Sequence, residues 1–153
     1  MKIYIGSDHA GYEFKEKLKV YLAQLGYEVV DKGAFEFDPA DDYPDFVLPV
    51  AEAVAKDSKS KGIIFGKSGQ GEAICANRVQ GIKAIVFYGE LKENADTFEI
   101  IKLGRVHNDA NILSLGAGFL SLDQAKFAVE LFLTTEFPGE ERHIRRIKKL
   151  DAE

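Results

Sequence analysis

Short apolar runs alternate with segments of helical periodicity along this chain of 153 residues. The runs predict five strands, at residues 2–7, 28–32, 61–65, 83–87 and 112–115. The clearest helical pattern between them consists of Phe14, Leu18, Tyr21, Leu22 and Leu25. Alternating strands and helices build parallel sheets that are covered on both faces. We therefore predict an α/β fold, a three-layer α/β/α sandwich around a five-stranded parallel sheet, Rossmann-like in its layout.

The remaining helical patterns and the absence of a linker predict a single domain over residues 1–153. Helices are expected at about 47–54, 90–103 and 122–132, followed by a basic helical tail at about 140–150. The composition, 46% hydrophobic and 29% charged, is typical of a globular protein. A chain of this length can bury enough surface for one full core.

Charge and cysteine content exclude several functional classes. The net charge of −5 argues against a general nucleic-acid binder, which would be broadly basic. A single cysteine allows no intramolecular disulfide and no cysteine cluster for a metal. No apolar run approaches the ~20 residues that cross a bilayer, and the N-terminus carries no signal-peptide pattern. These features predict a soluble cytoplasmic protein.

The glycine-rich segment 66–72 follows the apolar run 62–65 and leads into a helical pattern. Glycines allow backbone N–H groups to approach a ligand, and a helix start favours negative charge. Ser68 and Glu72 add a hydroxyl and a carboxylate, a combination suited to proton abstraction beside a carbonyl group. The spacing matches neither the phosphate-binding P-loop nor the dinucleotide fingerprint. The alternative is an ordinary strand–helix turn whose glycines only serve the backbone.

Asp8 and His9 directly follow the first strand, so they lie at the same edge of the sheet as the glycine loop. Ligands of open parallel sheets bind beyond the carboxyl ends of the strands. The two side chains therefore offer a carboxylate and a titratable imidazole to one cleft. The alternative is that Ser7 or Asp8 caps the helix that begins near Gly11.

Two further polar groups lie elsewhere in the sequence. Residues 107–111 precede the fifth strand, which predicts a position at the opposite end of the sheet unless a helix carries His107 outward or the residue serves a neighbouring subunit. They could equally form a polar turn. Arg142 and Arg146 share one helix face, where paired guanidinium groups suit phosphate, or else form a solvated basic end. Cys75 is interpreted as a packing residue.

These segments, in this order, resemble the motifs of the ribose-5-phosphate isomerase B family, whose wider members are galactose-6-phosphate isomerase subunits and allose-6-phosphate isomerases. The motifs are residues 7–11, 42–45, 66–72 with 76–77, 107–111 and 142–146, and the resemblance runs from Met1 to about Leu150. It implies a five-stranded parallel sheet between helix layers and interconversion of aldose and ketose sugar phosphates. It also implies that no metal or organic cofactor is used, and that a homodimer or homotetramer shares its active sites between subunits.

The resemblance also implies roles for individual residues of the glycine loop. Gly66 stands where many members of the family carry a cysteine that acts as the base. Glu72 matches a branch that uses glutamate for proton transfer between C1 and C2 of the sugar. Ser68 would assist the enediolate oxygens, with the backbone of Gly69, Gln70 and Gly71 as the anion hole.

The other site residues follow from the same resemblance. Asp8 and His107 resemble the groups that open the furanose ring, and Asn108 resembles a contact to substrate or enediolate. Contacts to the sugar and its phosphate are implied for His9, Tyr43, Arg142 and Arg146.

Two departures from the family pattern bear on the substrate. Gly118 stands where the family commonly has an arginine, and the segment 88–105 is longer than usual. We expect an isomerase that interconverts ribose 5-phosphate and ribulose 5-phosphate. The alternatives are an isomerase of a six-carbon sugar phosphate and a sugar-phosphate-binding protein without catalysis.

Overall fold

The structure of the protein is a computed structural model that describes residues 1–89 and 98–151. Its elements are, in chain order, β1 (Lys2–Ser7), α1 (Tyr12–Gln24), β2 (Glu28–Asp31), α2 (Pro44–Lys56), β3 (Lys61–Gly66), α3 (Gln70–Ala76), β4 (Ala84–Phe87), α4 (Glu99–Asn108), β5 (Ile112–Gly116), α5 (Leu122–Thr134) and α6 (Glu141–Ile147).

The five strands form one sheet in the order β2-β1-β3-β5-β4, and every neighbouring pair is parallel. This confirms the predicted fold class. The register pairs Ser7 with Phe65 and Gly66 with Gly116. The loops that follow β1, β3 and β5 therefore leave the sheet side by side at its carboxyl edge.

Helices cover both faces of the sheet because the buried strands carry apolar side chains on both faces. In β3, Ile63 and Phe65 belong to one core cluster and Ile64 to the other. The first cluster packs against α1, α4 and α5, and the second packs against α2 and α3. Successive side chains of a strand point to opposite faces, so an unbroken apolar run is what a two-sided core requires.

The fourth helix differs most from the sequence prediction. Helix α4 spans Glu99–Asn108, whereas the pattern predicted a helix from residue 90 to about 103. Residues 90–97 lie outside the described part of the chain. His107 and Asn108, which were expected in a loop before the strand, form the last turn of the helix. Asp109 ends it with a left-handed φ of 46° and donates its N–H to the Arg105 carbonyl oxygen at 3.0 Å. Short polar side chains tolerate this conformation, so the polar run is a helix terminus as well as a loop start.

None of the helices within residues 1–89 and 98–151 is both long enough and apolar enough to cross a membrane.

Candidate active site

The glycine loop between β3 and α3 is fastened to the neighbouring strand. The carbonyl oxygens of Gly66 and Lys67 accept hydrogen bonds from the N–H groups of Ala117 and Gly118, each at 2.9 Å. The Ser114 hydroxyl donates to the Gly69 carbonyl oxygen at 2.7 Å. Gly69 has a φ of 76°, which favours glycine, and α3 begins at the next residue. The loop is thus held rigidly at the carboxyl edge of the sheet.

The Glu72 carboxyl group occupies the space above Gly66. A Cβ atom at Gly66 would lie 1.7 Å from Oε1 of Glu72 and 2.1 Å from its Cδ. No side chain at this position could coexist with the observed carboxyl group. The missing side chain of Gly66 and the buried carboxyl of Glu72 are therefore two parts of one arrangement.

Burial sets the basicity of Glu72. The side chain belongs to a residue that is only 5% exposed, and burial raises the pKa of its carboxyl group. The negative charge of Asp8 raises the pKa further, while the backbone N–H of Glu72 itself opposes the rise. The sequence left burial and the helix start in competition, and burial outweighs the hydrogen bond. Glu72 is consequently a stronger base than an exposed glutamate.

Cys75 is half-buried and packs against the core cluster below α2 and α3. Burial, and then the nearby Glu72 charge, raise the pKa of its thiol. Both effects disfavour the reactive thiolate, in agreement with the interpretation of Cys75 as a packing residue.

Asp8 shapes the turn before α1, although no side chain of the described residues caps the helix itself, and its role in the cleft stays a prediction. Its Oδ1 accepts hydrogen bonds from the N–H groups of Ala10 and Gly11, at 3.0 and 3.3 Å, so the side chain shapes the turn before α1. The residue is nevertheless buried, and burial is the main cause of a raised pKa of its carboxyl group. Ser7 makes no such contact, since its buried hydroxyl has no hydrogen-bond partner within the described chain.

His9 is held by Asp41, a residue that the sequence analysis did not single out. Asp41 Oδ1 lies 2.6 Å from Nδ1 of the His9 ring and accepts the His9 backbone N–H at 3.0 Å. This hydrogen bond is the main cause of a raised pKa of His9, with the charges of Asp8 and Asp38 adding to it. The contact fixes the ring orientation and leaves Nε2 for a ligand. The two residues are 32 positions apart, so no local spacing could have revealed the pair.

We expect Asp41→Asn to lower the pKa of His9 toward its ordinary value of 6.5. A raised pKa in the folded state stabilises the fold below the unfolded pKa, and this contribution is lost as pH rises through the folded pKa. The variant should therefore be less stable than the wild type below about pH 6.5 and should converge with it at higher pH. NMR titration of the His9 ring and unfolding at several pH values measure both effects. Asp42→Asn, at the exposed neighbouring position, is the control, and an unchanged His9 titration in Asp41→Asn would refute the assignment.

Asp8, His9 and Asp41 also place potential metal-ligand atoms within 4.8 Å of one another. The close Nδ1 contact to Asp41 already uses the His9 nitrogen that faces the carboxylate. We therefore assign the cluster to hydrogen bonding, and the expectation of a metal-free reaction remains a prediction.

Tyr43 lies directly against Gly71 at the start of α3, and its role in the sugar site stays a prediction. A Cβ atom at Gly71 would lie 3.1 Å from Cζ and 3.2 Å from the hydroxyl oxygen of Tyr43. Ser68 is half-buried, and its hydroxyl accepts a long hydrogen bond of 3.4 Å from the Gln70 N–H. Gln70 itself is exposed.

The remaining candidate residues form a separate group beside α6. His107 and His143 stack with ring centroids 4.4 Å apart and an interplanar angle of 19°. They border a pocket of about 260 Å³ together with Asn108 and Arg146. Burial, with the charge of Arg142 next in importance, lowers the pKa of His143. Arg142 is exposed and donates to Glu140 at 2.8 Å.

This second group lies at the opposite edge of the sheet from Glu72. α4 ends just before β5 begins, whereas the glycine loop is level with the end of β5. A five-residue strand is about 16 Å long. Within the described residues of one chain, His107, Asn108 and the two arginines are therefore not brought together with Asp8, Ser68 and Glu72.

Comparison with known proteins agrees with the fold. The family model described as Ribose/Galactose Isomerase matches residues 3–150. This chain belongs to that family. A family relative, the ribose-5-phosphate isomerase B of Mycolicibacterium paratuberculosis, is 37% identical over 147 residues, which is 96% of this chain and 87% of the relative.

Solved structures of the family superimpose over nearly the whole chain. The ribose-5-phosphate isomerase B of Clostridium thermocellum is 42% identical with a TM-score of 0.87, covering 99% of this chain and 95% of its own. That of Mycoplasma genitalium, solved with bound ribulose 5-phosphate, is 35% identical with a TM-score of 0.88, covering 97% and 93%. The family resemblance inferred from the sequence is confirmed.

Proposed function

We propose that this protein interconverts ribose 5-phosphate and ribulose 5-phosphate, with Glu72 as the base. One observation carries the proposal: a buried carboxyl group with a raised pKa fills the space above Gly66 at the carboxyl edge of the sheet. Family membership and the ribulose 5-phosphate bound by the Mycoplasma genitalium relative support the substrate class.

In the proposed reaction, Glu72 removes the C2 proton of the open-chain aldose and returns it to C1 of the enediolate. The negative charge moves onto the substrate oxygens, where Ser68 and the backbone N–H groups of Gly69, Gln70 and Gly71 are suited to receive it. The raised pKa of Glu72 suits this task because a stronger base takes a carbon-bound proton more readily. Asp8, in the loop that follows β1, is assigned with His107 to opening of the sugar ring.

We infer that each active site combines residues of two subunits. The second group, which contains His107, Asn108, Arg142 and Arg146, is too far from Glu72 in one chain to act on the same small substrate. In a homodimer or homotetramer it would complete the cleft of a neighbouring subunit. The two arginines then bind the phosphate, His9 and Tyr43 contact the sugar, and no metal or organic cofactor takes part. A cytoplasmic location remains part of the proposal.

Mixing two inactive variants tests the shared site. An oligomer built only of Glu72→Gln chains, or only of His107→Ala chains, lacks one essential residue in every site. In a mixed dimer, one of the two sites receives both intact residues, so we expect activity to return to as much as a quarter of the wild-type value when equal amounts recombine at random. Activity assays after refolding the mixture measure it, with mass spectrometry to count mixed dimers. Mixed dimers without activity would contradict the arrangement.

A six-carbon sugar phosphate is the alternative substrate, because Gly118 stands where the resemblance implies an arginine and the phosphate site is then arranged differently. NMR spectra of the protein in deuterated water with ribose 5-phosphate, allose 6-phosphate and galactose 6-phosphate decide between them. We expect deuterium incorporation and ketose formation fastest with ribose 5-phosphate. Faster turnover of a six-carbon substrate would replace the proposed substrate, and no exchange with any of the three would indicate a binding protein.

A further inference from the structure

Lys67, between Gly66 and Ser68 in the glycine loop, lies across the backbone of Gly118. A Cβ atom at Gly118 would be 3.0 Å from Cγ of Lys67 and also 3.0 Å from the Lys67 carbonyl oxygen. The two positions are locked together by the hydrogen bond from the Gly118 N–H to the Lys67 carbonyl oxygen at 2.9 Å. The lysine side chain therefore starts in the space that a side chain at position 118 would enter.

The charges around the cleft make this lysine distinctive. Asp8, Asp41 and Glu72 provide carboxyl groups at the carboxyl edge of the sheet, with His9 as their imidazole neighbour. In the described parts of the loops that follow the strands, two basic residues lie at this edge, and both are lysines: Lys32 and Lys67. The ammonium group of Lys32 lies over the Tyr4 ring at 5.4 Å, beside α2. Lys67 is exposed and forms no ion pair with any residue of the described chain.

We propose that Lys67 is a phosphate contact supplied by the same subunit as Glu72. The proposal rests on the proposed function, because a dianionic substrate has to be held in a cleft whose own side chains are mostly acidic. A cation within the glycine loop offsets that repulsion and leaves the phosphate between Lys67 of one chain and the arginines of its neighbour. The same lysine bears on Gly118, where the resemblance implies an arginine: Lys67 brings a cation to the glycine loop beside that position.

Binding of inorganic phosphate, measured by titration calorimetry, tests the inference without requiring turnover. We expect Lys67→Ala to weaken phosphate binding about tenfold or more, the usual effect of losing a charge-assisted hydrogen bond. Lys67→Arg should retain most of the binding. Lys59→Ala, which removes an exposed lysine from the loop before β3, should bind like the wild type. Equal phosphate affinity of Lys67→Ala and wild type, or no phosphate binding by the wild type, would overturn the inference.

Moving the charge provides a second test. Lys67→Gly combined with Gly118→Arg places a cation in the same space from the other position, and we expect it to recover phosphate binding relative to Lys67→Gly alone. Failure to recover binding in a folded double variant would overturn the shared-space argument. In kinetic assays, Lys67→Ala should raise KM for ribose 5-phosphate more than it lowers kcat, as expected for uniform binding. A wild type that binds phosphate but turns over no sugar phosphate would refute the proposed function and leave the Lys67 assignment intact.

Discussion

Glu72→Gln is expected to reduce isomerase turnover by about 10²–10⁴-fold, the usual contribution of a positioned proton-transfer group. Glutamine preserves the shape of the side chain that fills the space above Gly66, so substrate should still bind. Steady-state kinetics and direct binding of ribose 5-phosphate separate the two effects. Cys75→Ala, one turn later on the same helix, is the matched control and should remain active. Normal turnover by Glu72→Gln together with an inactive Cys75→Ala would assign the chemistry to the thiol.

The same variant should make the fold more stable at neutral pH. A carboxyl group whose pKa is raised in the folded state lowers the stability of the protein as pH rises from the unfolded pKa toward the folded pKa. Replacing Glu72 with neutral glutamine removes this cost, so the variant and the wild type should converge in acid and separate at neutral pH. Loss of activity with a gain in stability is the pattern expected of a buried catalytic group.

Gly66→Ala should inactivate the enzyme by about 10²-fold without removing any reactive group. The added methyl would lie 1.7 Å from Oε1 of Glu72, so the carboxyl group has to move. Displacement of a reacting group by even 1 Å can cost about 10² in rate. The fold should be little affected, because the colliding group is the end of a flexible side chain and the backbone of Gly66 is not in the left-handed region.

A double-mutant comparison isolates this collision. In a Glu72→Ala background the carboxyl group is absent, and Gly66→Ala should then have almost no further effect on activity. Assays of the four proteins give the coupling between the two positions. Equal losses caused by Gly66→Ala in both backgrounds would show that the substitution acts through the backbone of the loop and not through Glu72.

The sequence was sufficient for the fold because its signals are local. Apolar runs such as 61–65 and helical spacing such as that of Leu18 and Leu22 depend on near neighbours, and both correspond to observed elements. The terminus of α4 was harder to predict, since polar residues are compatible with both a last helical turn and a loop. His107 was consequently expected in the loop before β5, whereas it lies in the last turn of α4.

The candidate site was only partly predictable because its contacts are long-range. The motif spacing pointed to Glu72 and Asp8, but the filling of the Gly66 space depends on how α3 folds back over β3. Asp41 meets His9 across 32 residues of sequence, and Lys67 meets Gly118 across the edge between β3 and β5. Such contacts are determined by packing of the whole sheet, so no pattern within one segment reveals them.

Loss of deuterium from C2-deuterated ribose 5-phosphate tests most directly whether Glu72 is the base. In the wild type, the label should be exchanged with water or carried to C1 during turnover. Glu72→Gln saturated with the substrate should retain the label at C2 for at least about 10²-fold longer. Removal of the label by Glu72→Gln at the wild-type rate would contradict the account, because another group would then be breaking the C–H bond.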